Sequence, residues 1–226
     1  MNFACKLKIA ALSYVLFACV SCSPHSIHEG NANTTGSANS AGGGAAPAAT
    51  NENAVDFMAK AMRAQFEAKS YRARMESSFA GQNTSRIVEF VAPDRFHMTG
   101  DMDEMIIVGS ATYRRAKGGQ WQKFPADVGS MVTAFRDPKM IDEMTKNAEV
   151  KFLGPEVLDG TPTLVYQYTM TNAFGTNITS TSKTWIGASD SLPRKTETEA
   201  EINKQKSKTI ITYYDYNAGI NIEPPI

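Results

Sequence analysis

Apolar and polar side chains alternate at every second position over much of the chain after residue 70, which predicts a series of short β-strands. The clearest alternation lies between residues 161 and 187, where two antiparallel strands flank a turn at 172–176. The apolar face of the first of these strands consists of Leu164, Tyr166, Tyr168 and Met170. We expect this ribbon to form the middle of a curved sheet whose inner face holds an apolar ligand.

Two other stretches have the three- and four-residue spacing of apolar positions that is typical of an amphipathic helix. The first spans residues 51–70, and the second begins at Asp137 and Pro138, an N-cap residue followed by a proline suited to the first helical turn. The apolar side of the first helix is formed by Val55, Met58, Ala59, Met62 and Phe66, and that of the second by Met140, Ile141 and Met144. In a mainly antiparallel chain, such helices are expected to cover one face of the sheet.

Short turns connect the strands, as at residues 118–119 and 159–160, which predicts an antiparallel meander of about ten strands. Two of these strands are expected at residues 149–153 and 156–158. In the last strand, the residues expected to share one face are Ile210, Tyr214 and Tyr216. The predicted fold class is α+β, with one domain over residues 51–226 and two or more helices over the concave face of its sheet.

The N-terminus is predicted to be a targeting segment. Lys6 and Lys8 precede an apolar run at residues 9–20 that is too short to span a bilayer. The segment 16–19, LFAC, resembles a bacterial lipobox, which makes residues 1–18 a lipoprotein signal peptide and Cys19 the lipidated residue. Cys22 is the alternative lipidation site.

Residues 19–50 are predicted to form a disordered tether behind the lipid anchor, because Gly, Ala, Ser, Asn and Thr dominate them. The chain has three cysteines, and all of them precede residue 23. The domain at 51–226 therefore has no cysteine for a disulfide or a thiol nucleophile, and its stability must come from its core.

The charges balance, with 23 Lys and Arg residues against 23 Asp and Glu residues. A balanced chain lacks the basic face that nucleic acid binding requires, and the neighbours Arg114 and Arg115 point to opposite faces of a predicted strand. His97 is the one histidine after residue 51, and the pattern places no nucleophile beside it. We therefore expect no catalytic residue, no metal site, no cofactor and no enzyme activity.

Four short motifs occur in an order that resembles the LolA/LolB-like lipoprotein-carrier superfamily, including the LppX/LprG-type bacterial lipoproteins. They are FVAPDRF at residues 90–96, GQWQKF at 119–124, TWIG at 184–187 and LPRK at 192–195. The resemblance covers residues 51–216, and it departs from the group at Gly187, where an acidic residue is more usual.

This resemblance implies an unclosed β-barrel whose helices plug a hydrophobic cavity for acyl chains. It implies an envelope-anchored bacterial lipoprotein, on the outer-membrane or periplasmic side, that transports or localises lipid or acylated protein cargo. Methionine adapts to varied apolar partners, so the methionines either line this cargo site or fill the core. The candidate cargo-lining residues are Met58, Met62, Phe66, Phe90, Met98, Met131, Met140, Ile141, Met144, Leu164, Tyr166, Tyr168 and Met170.

Residues 125–134 are expected to form, together with the helices, a lid over the cargo. This loop is expected to be flexible and weakly polar, and it carries Met131. The alternative function is a sensing or interaction module of the cell envelope that uses the same fold without transferring cargo. The expected partners are a lipid or acylated protein cargo, a membrane reached through the N-terminal anchor, and, in the alternative, an envelope protein. No nucleic acid partner is expected.

Overall fold

The computed structural model describes residues 54–125, 127–130, 139, 141–142, 145, 148–171, 178–202 and 205–226. The predicted signal peptide, both candidate lipidation cysteines and the tether lie outside the described residues. Three candidate cargo-lining residues also lie outside them, namely Met131, Met140 and Met144. No helix in the described part of the chain has the length and apolar character that a membrane span requires.

The described part of the chain starts with one helix and continues into eleven strands. The helix α1 is Ala54–Glu67. The strands are β1 Ser70–Phe79, β2 Gln82–Val91, β3 Arg95–Gly100, β4 Asp103–Val108, β5 Ala111–Ala116, β6 Gln122–Phe124, β7 Ala148–Leu158, β8 Thr161–Met170, β9 Thr179–Gly187, β10 Pro193–Ile202 and β11 Gln205–Tyr214.

All eleven strands form one antiparallel sheet in the order β6-β5-β4-β3-β2-β1-β11-β10-β9-β8-β7. The sheet is open, with β6 and β7 at its two edges. The first and last strands of the chain pair at its centre. The ribbon of β8 and β9 therefore lies beside an edge, and the prediction that it forms the middle of the sheet is wrong.

One continuous strand, β7, replaces the two strands predicted at 149–153 and 156–158. The register of its pairing with β8 shifts between Phe152 and Gly154. Gly154 has a φ of 121°, a conformation that L side chains rarely adopt, and a bulge at this point bends the strand without ending it. The local break in alternation at this bulge explains why the sequence indicates two strands.

The helix α1 defines the two faces of the sheet, since it packs on one of them, here called the inner face. Its buried residues Ala54, Met58 and Ala61 belong to one apolar cluster with side chains of β7, β8 and β9. The ring of Phe57 stacks on Tyr166 at 5.0 Å between centroids. Most of the second predicted helix lies outside the described residues, but positions 139, 141, 142 and 145 are helical.

The C-terminal segment after β11 crosses the opposite, outer face of the sheet. Ile222 is buried in a cluster with Ile106 of β4 and Tyr113 of β5. The segment is also held by hydrogen bonds, because Arg95 donates to the Ile222 carbonyl at 2.6 Å and Ser70 donates to the Ala218 carbonyl at 2.6 Å. These contacts join the C-terminal segment to strands between β1 and β5, so the segment stabilises that half of the sheet from its outer face.

Candidate functional site

The predicted cargo-lining residues fall into two separate apolar clusters on the inner face. The first lies under α1 and contains Met58, Leu164 and Tyr166, with Met62 and Tyr168 partly buried at its border. The second lies on β1 to β4 and contains Phe90 and Met98, together with Ala73, Val88, Phe96, Met105 and Ile107. Among the described residues, the buried apolar side chains of the inner face thus form two clusters and not one.

The other candidates in the described residues lie at the margins of these clusters. Phe66 of α1 is half-buried, and Ile141 is buried on its helical turn. Met170 is half-buried at the end of β8, opposite Ser180 on the inner face. The last strand differs from the prediction, because Ile211 and Tyr213 belong with the inner face, whereas Ile210 and Tyr214 face outward.

A band of hydroxyl side chains separates the two apolar clusters, and the sequence analysis missed it. We call it the hydroxyl belt. In an antiparallel sheet, residues directly opposite each other share a face, and the register places these side chains on the inner face of β1, β11, β10 and β9. The belt consists of Ser77, Thr209, Thr198, Ser182, Thr196 and Thr184.

The belt hydroxyls bind one another in pairs across the strands. The oxygen atoms of Ser77 and Thr209 lie 3.2 Å apart. Those of Ser182 and Thr198 lie 2.9 Å apart, and those of Thr184 and Thr196 lie 3.1 Å apart. Each hydroxyl has one proton to donate, so one bond between two hydroxyls leaves one proton for a further acceptor.

Three tyrosines on the inner face adjoin the belt. Burial raises the pKa of Tyr168, and a hydrogen bond with Ser182 opposes that rise. Burial also raises the pKa of Tyr213, which bonds to Gln65 and Thr196. Tyr166 is 0 % exposed, and its hydroxyl has no hydrogen-bond partner among the described residues. Burial raises the pKa of Tyr166 to about 12, so this hydroxyl remains a proton donor at neutral pH.

A buried ion cluster lies at the far end of the inner face, beyond the second apolar cluster. Asp103 accepts a hydrogen bond from Arg86 at 2.8 Å and another from Arg114 at 3.1 Å. Arg115 points outward and contacts Glu104, as expected for a neighbour on the same strand. The prediction that the two arginines face opposite sides is confirmed, but Arg114 is engaged by Asp103 on the inner face.

His97 lies on the outer face and bridges two carboxylates. Its Nδ1 is 3.0 Å from Glu89, and its Nε2 is 2.7 Å from Glu104. Burial opposes ionisation of both glutamates, but the hydrogen bonds of Glu89 with Arg72 and His97, and those of Glu104 with His97 and Arg115, outweigh it and lower both pKa values. The polar side chains of β1 to β5 on the outer face thus form a row of cross-strand contacts, here called the outer row, which consists of Arg72, Glu89, His97, Glu104 and Arg115.

In the part of the chain that the structure describes, no group of three or more His, Cys, Asp or Glu side chains is arranged to hold a metal ion. The features that the inner face offers to a ligand are therefore apolar surface, neutral hydroxyl groups and one buried ion cluster.

The sequence matches no protein-family model and no curated protein. The structure is similar to the lipoprotein LppX of Mycobacterium tuberculosis, with a TM-score of 0.60 and 11% identity over 77% of this chain and 100% of LppX. It is also similar to LprF from Mycobacterium bovis, with a TM-score of 0.53 and 12% identity over 77% of this chain and 97% of LprF. At this identity the likenesses show the fold alone, and they confirm that the chain shares the fold of LppX, as the resemblance to LppX-type lipoproteins implied.

Proposed function

We propose that this chain is an envelope-anchored bacterial lipoprotein that binds acyl chains between the inner face of its sheet and the helices that pack on it. The observation that carries this proposal is the pair of apolar clusters on the inner face of a fold shared with LppX along its whole length. Transport or localisation of a lipid or an acylated protein is the function that such a site serves.

Acyl chains suit these clusters for energetic reasons. Each methylene transferred from water to an apolar site contributes about 0.8 kcal/mol, so one chain of ordinary length supplies useful affinity. Met58, Met98 and Met105 contribute flexible side chains that can repack against chains of different shape.

The segment after β6 is proposed to act as the lid. The loop predicted at 125–134 differs from the structure, since residues 128–130 form a helical turn. The carboxylate of Asp127 accepts a hydrogen bond from the backbone N–H of Ser130 at 2.8 Å, as an N-cap does. Val128 packs against the second apolar cluster, and this contact supports a lid that starts over the site. Met131 is the next apolar residue proposed to face cargo.

We propose that residues 1–18 are removed as a signal peptide and that Cys19 carries the lipid anchor, with Cys22 as the alternative. Residues 19–50 then tether the domain at 51–226 to the membrane. A flexible coil of this composition has a root-mean-square reach of roughly 30 Å, which allows the domain to turn above the membrane.

One observation favours a second function, that of an interaction module with an envelope protein. Val157 on the edge strand β7 is 71 % exposed, and Leu153 on the same strand is also exposed. An edge strand with exposed apolar side chains offers a surface for an added strand or a partner. This function needs no transferable cargo.

Neighbouring residues of β8 provide a matched test of acyl-chain binding. Met170 faces inward, and Thr169 faces outward opposite Thr181. The binding of a fluorescent long-chain acyl probe to the full chain is measured for Met170→Asp and Thr169→Asp. We expect a loss of affinity of about tenfold or more in Met170→Asp alone, because a carboxylate is costly beside an apolar chain. Equal affinity in both variants, or no binding by the unaltered chain, contradicts the proposal.

A further inference from the structure

We propose that the hydroxyl belt donates hydrogen bonds to ester carbonyl groups of the bound lipid, so that the chain selects ester-linked lipids over hydrocarbons of similar size. This inference rests on the proposed function, because it specifies the chemistry of the ligand at the same inner face.

The hydroxyl belt places hydrogen-bond donors in a site that would otherwise be apolar. The pair formed by Ser77 and Thr209 has two protons and one mutual hydrogen bond, which leaves one proton to donate. Thr198, Ser182 and Tyr168 form a chain of three hydroxyls with two bonds, which again leaves one proton. Thr184, Thr196 and Tyr213 form a similar chain, whose end at Tyr213 also bonds to Gln65. The belt thus has more donors than it can satisfy internally.

Tyr166 provides an independent observation that points to a ligand. Its side chain is completely buried on the inner face, directly opposite Thr184, and its hydroxyl has no partner in the described part of the chain. A buried hydroxyl without a partner loses its hydrogen bonds to water and gains none in return. A ligand acceptor beside the belt removes that cost.

The character of the belt specifies the kind of acceptor. The six belt residues are neutral, and Ser77, Ser182, Thr184 and Thr209 are buried. A charged group placed there would lose its hydration without gaining an ionic partner. An ester carbonyl is neutral, accepts hydrogen bonds and donates none, so it complements a surface with surplus protons.

The position of the belt agrees with the shape of such a lipid. One apolar cluster lies under α1 beside β7 to β9, and the other lies on β1 to β4, with the belt between them. A lipid whose ester groups lie at the belt can extend apolar chains over the clusters on either side. A plain hydrocarbon would leave the belt protons unsatisfied along its middle.

The test compares two probes on the full chain, dioleoylglycerol and diphenylhexatriene, the second of which has no acceptor group. Tyr166→Phe and Thr198→Val each remove one hydroxyl from the inner face while nearly preserving side-chain volume. Thr169→Val is the matched control, because it removes a hydroxyl from the outer-face pair of Thr169 and Thr181. Circular dichroism and thermal unfolding verify that each variant is folded.

We expect Tyr166→Phe and Thr198→Val to weaken dioleoylglycerol binding by about fivefold each, the effect of one neutral hydrogen bond. Their diphenylhexatriene affinity should stay within about twofold of the unaltered chain, as should every affinity of the Thr169→Val control. Unchanged dioleoylglycerol binding, or equal losses for both probes, overturns the ester assignment and leaves acyl-chain binding intact. If the unaltered chain binds neither probe, the proposed function itself fails.

Discussion

Ser77 on the first strand and Thr209 on the last strand lie directly opposite each other, with their hydroxyl oxygens 3.2 Å apart. The pairing of β1 with β11 therefore forms the centre of the sheet and joins the two halves of the inner face. On one side of this centre lies the cluster of β1 to β4, and on the other side lies the cluster under α1. The stability of the site depends on this long-range pairing.

The pairing of β1 with β11 at the centre of the sheet predicts a large loss of stability when one buried methionine is truncated. Met75 of β1 lies opposite Ile211 of β11 and is 5 % exposed, whereas Met102 lies in a turn and is 78 % exposed. Met75→Ala should lower the free energy of unfolding by about 2–4 kcal/mol, because it removes buried apolar contacts. Met102→Ala, the control, should change it by less than about 0.5 kcal/mol. Urea denaturation measures both, and similar values for the two would refute the assigned centre.

Two isoleucines of the C-terminal segment are expected to differ in how much they contribute to the stability of the fold. Ile222 is 3 % exposed against β4 and β5, and Ile226 is 70 % exposed at the end of the chain. Ile222→Ala should lower the free energy of unfolding by about 2–4 kcal/mol, since the sheet loses an outer-face contact. Ile226→Ala should have almost no effect. A small loss for Ile222→Ala in thermal unfolding would mean that the segment does not hold the sheet.

The outer row around His97 predicts a dependence of stability on pH. The pKa values of Glu89 and Glu104 are lowered below the ordinary value of 4.5, so the folded state binds their protons less readily than the unfolded state does. Their stabilisation is complete above about pH 4.5 and is lost as the pH falls through the folded pKa values. The unfolding free energy of the chain should therefore decline at acid pH.

The double variant Glu89→Gln and Glu104→Gln tests whether these two carboxylates cause the predicted loss of stability at acid pH. Its unfolding free energy should fall less steeply below pH 4.5 than that of the unaltered chain, measured by denaturant titration at several pH values. Glu67→Gln, which alters an exposed residue of α1, should follow the unaltered chain. Identical slopes for the double variant and the unaltered chain would contradict the assigned ion pairs.

Local features of the fold could be predicted from the sequence because their signals are local. The apolar stripe of α1 and the hairpin of β5 and β6 depend on residues close together in the chain. The partner of β1 could not be predicted, because alternation indicates a strand without naming its neighbour. In β11, Ile210 precedes Ile211 and Tyr213 precedes Tyr214, so both faces are apolar and the inward set is ambiguous.

The candidate site could be predicted only in its apolar part. Leu164, Tyr166 and Met98 were expected to line the inner face, and they are buried there. The hydroxyl belt gave no such signal, because Thr and Ser are common on either face of a strand. In β10, Thr196 and Thr198 alternate with charged residues, which predicts that the two threonines share one face, but the pattern could not show that hydroxyls of four strands meet on that face.

Native mass spectrometry of the full chain purified from host membranes measures whether acyl lipid is bound to the protein. Lipid extraction from the same preparation identifies any bound molecule. Acyl-chain binding at the inner face predicts a lipid of defined mass, near stoichiometric with protein, that carries ester-linked acyl chains. A protein mass without bound lipid, unchanged after incubation with ester lipids, would contradict acyl-chain binding and assign the inner-face methionines to core packing alone.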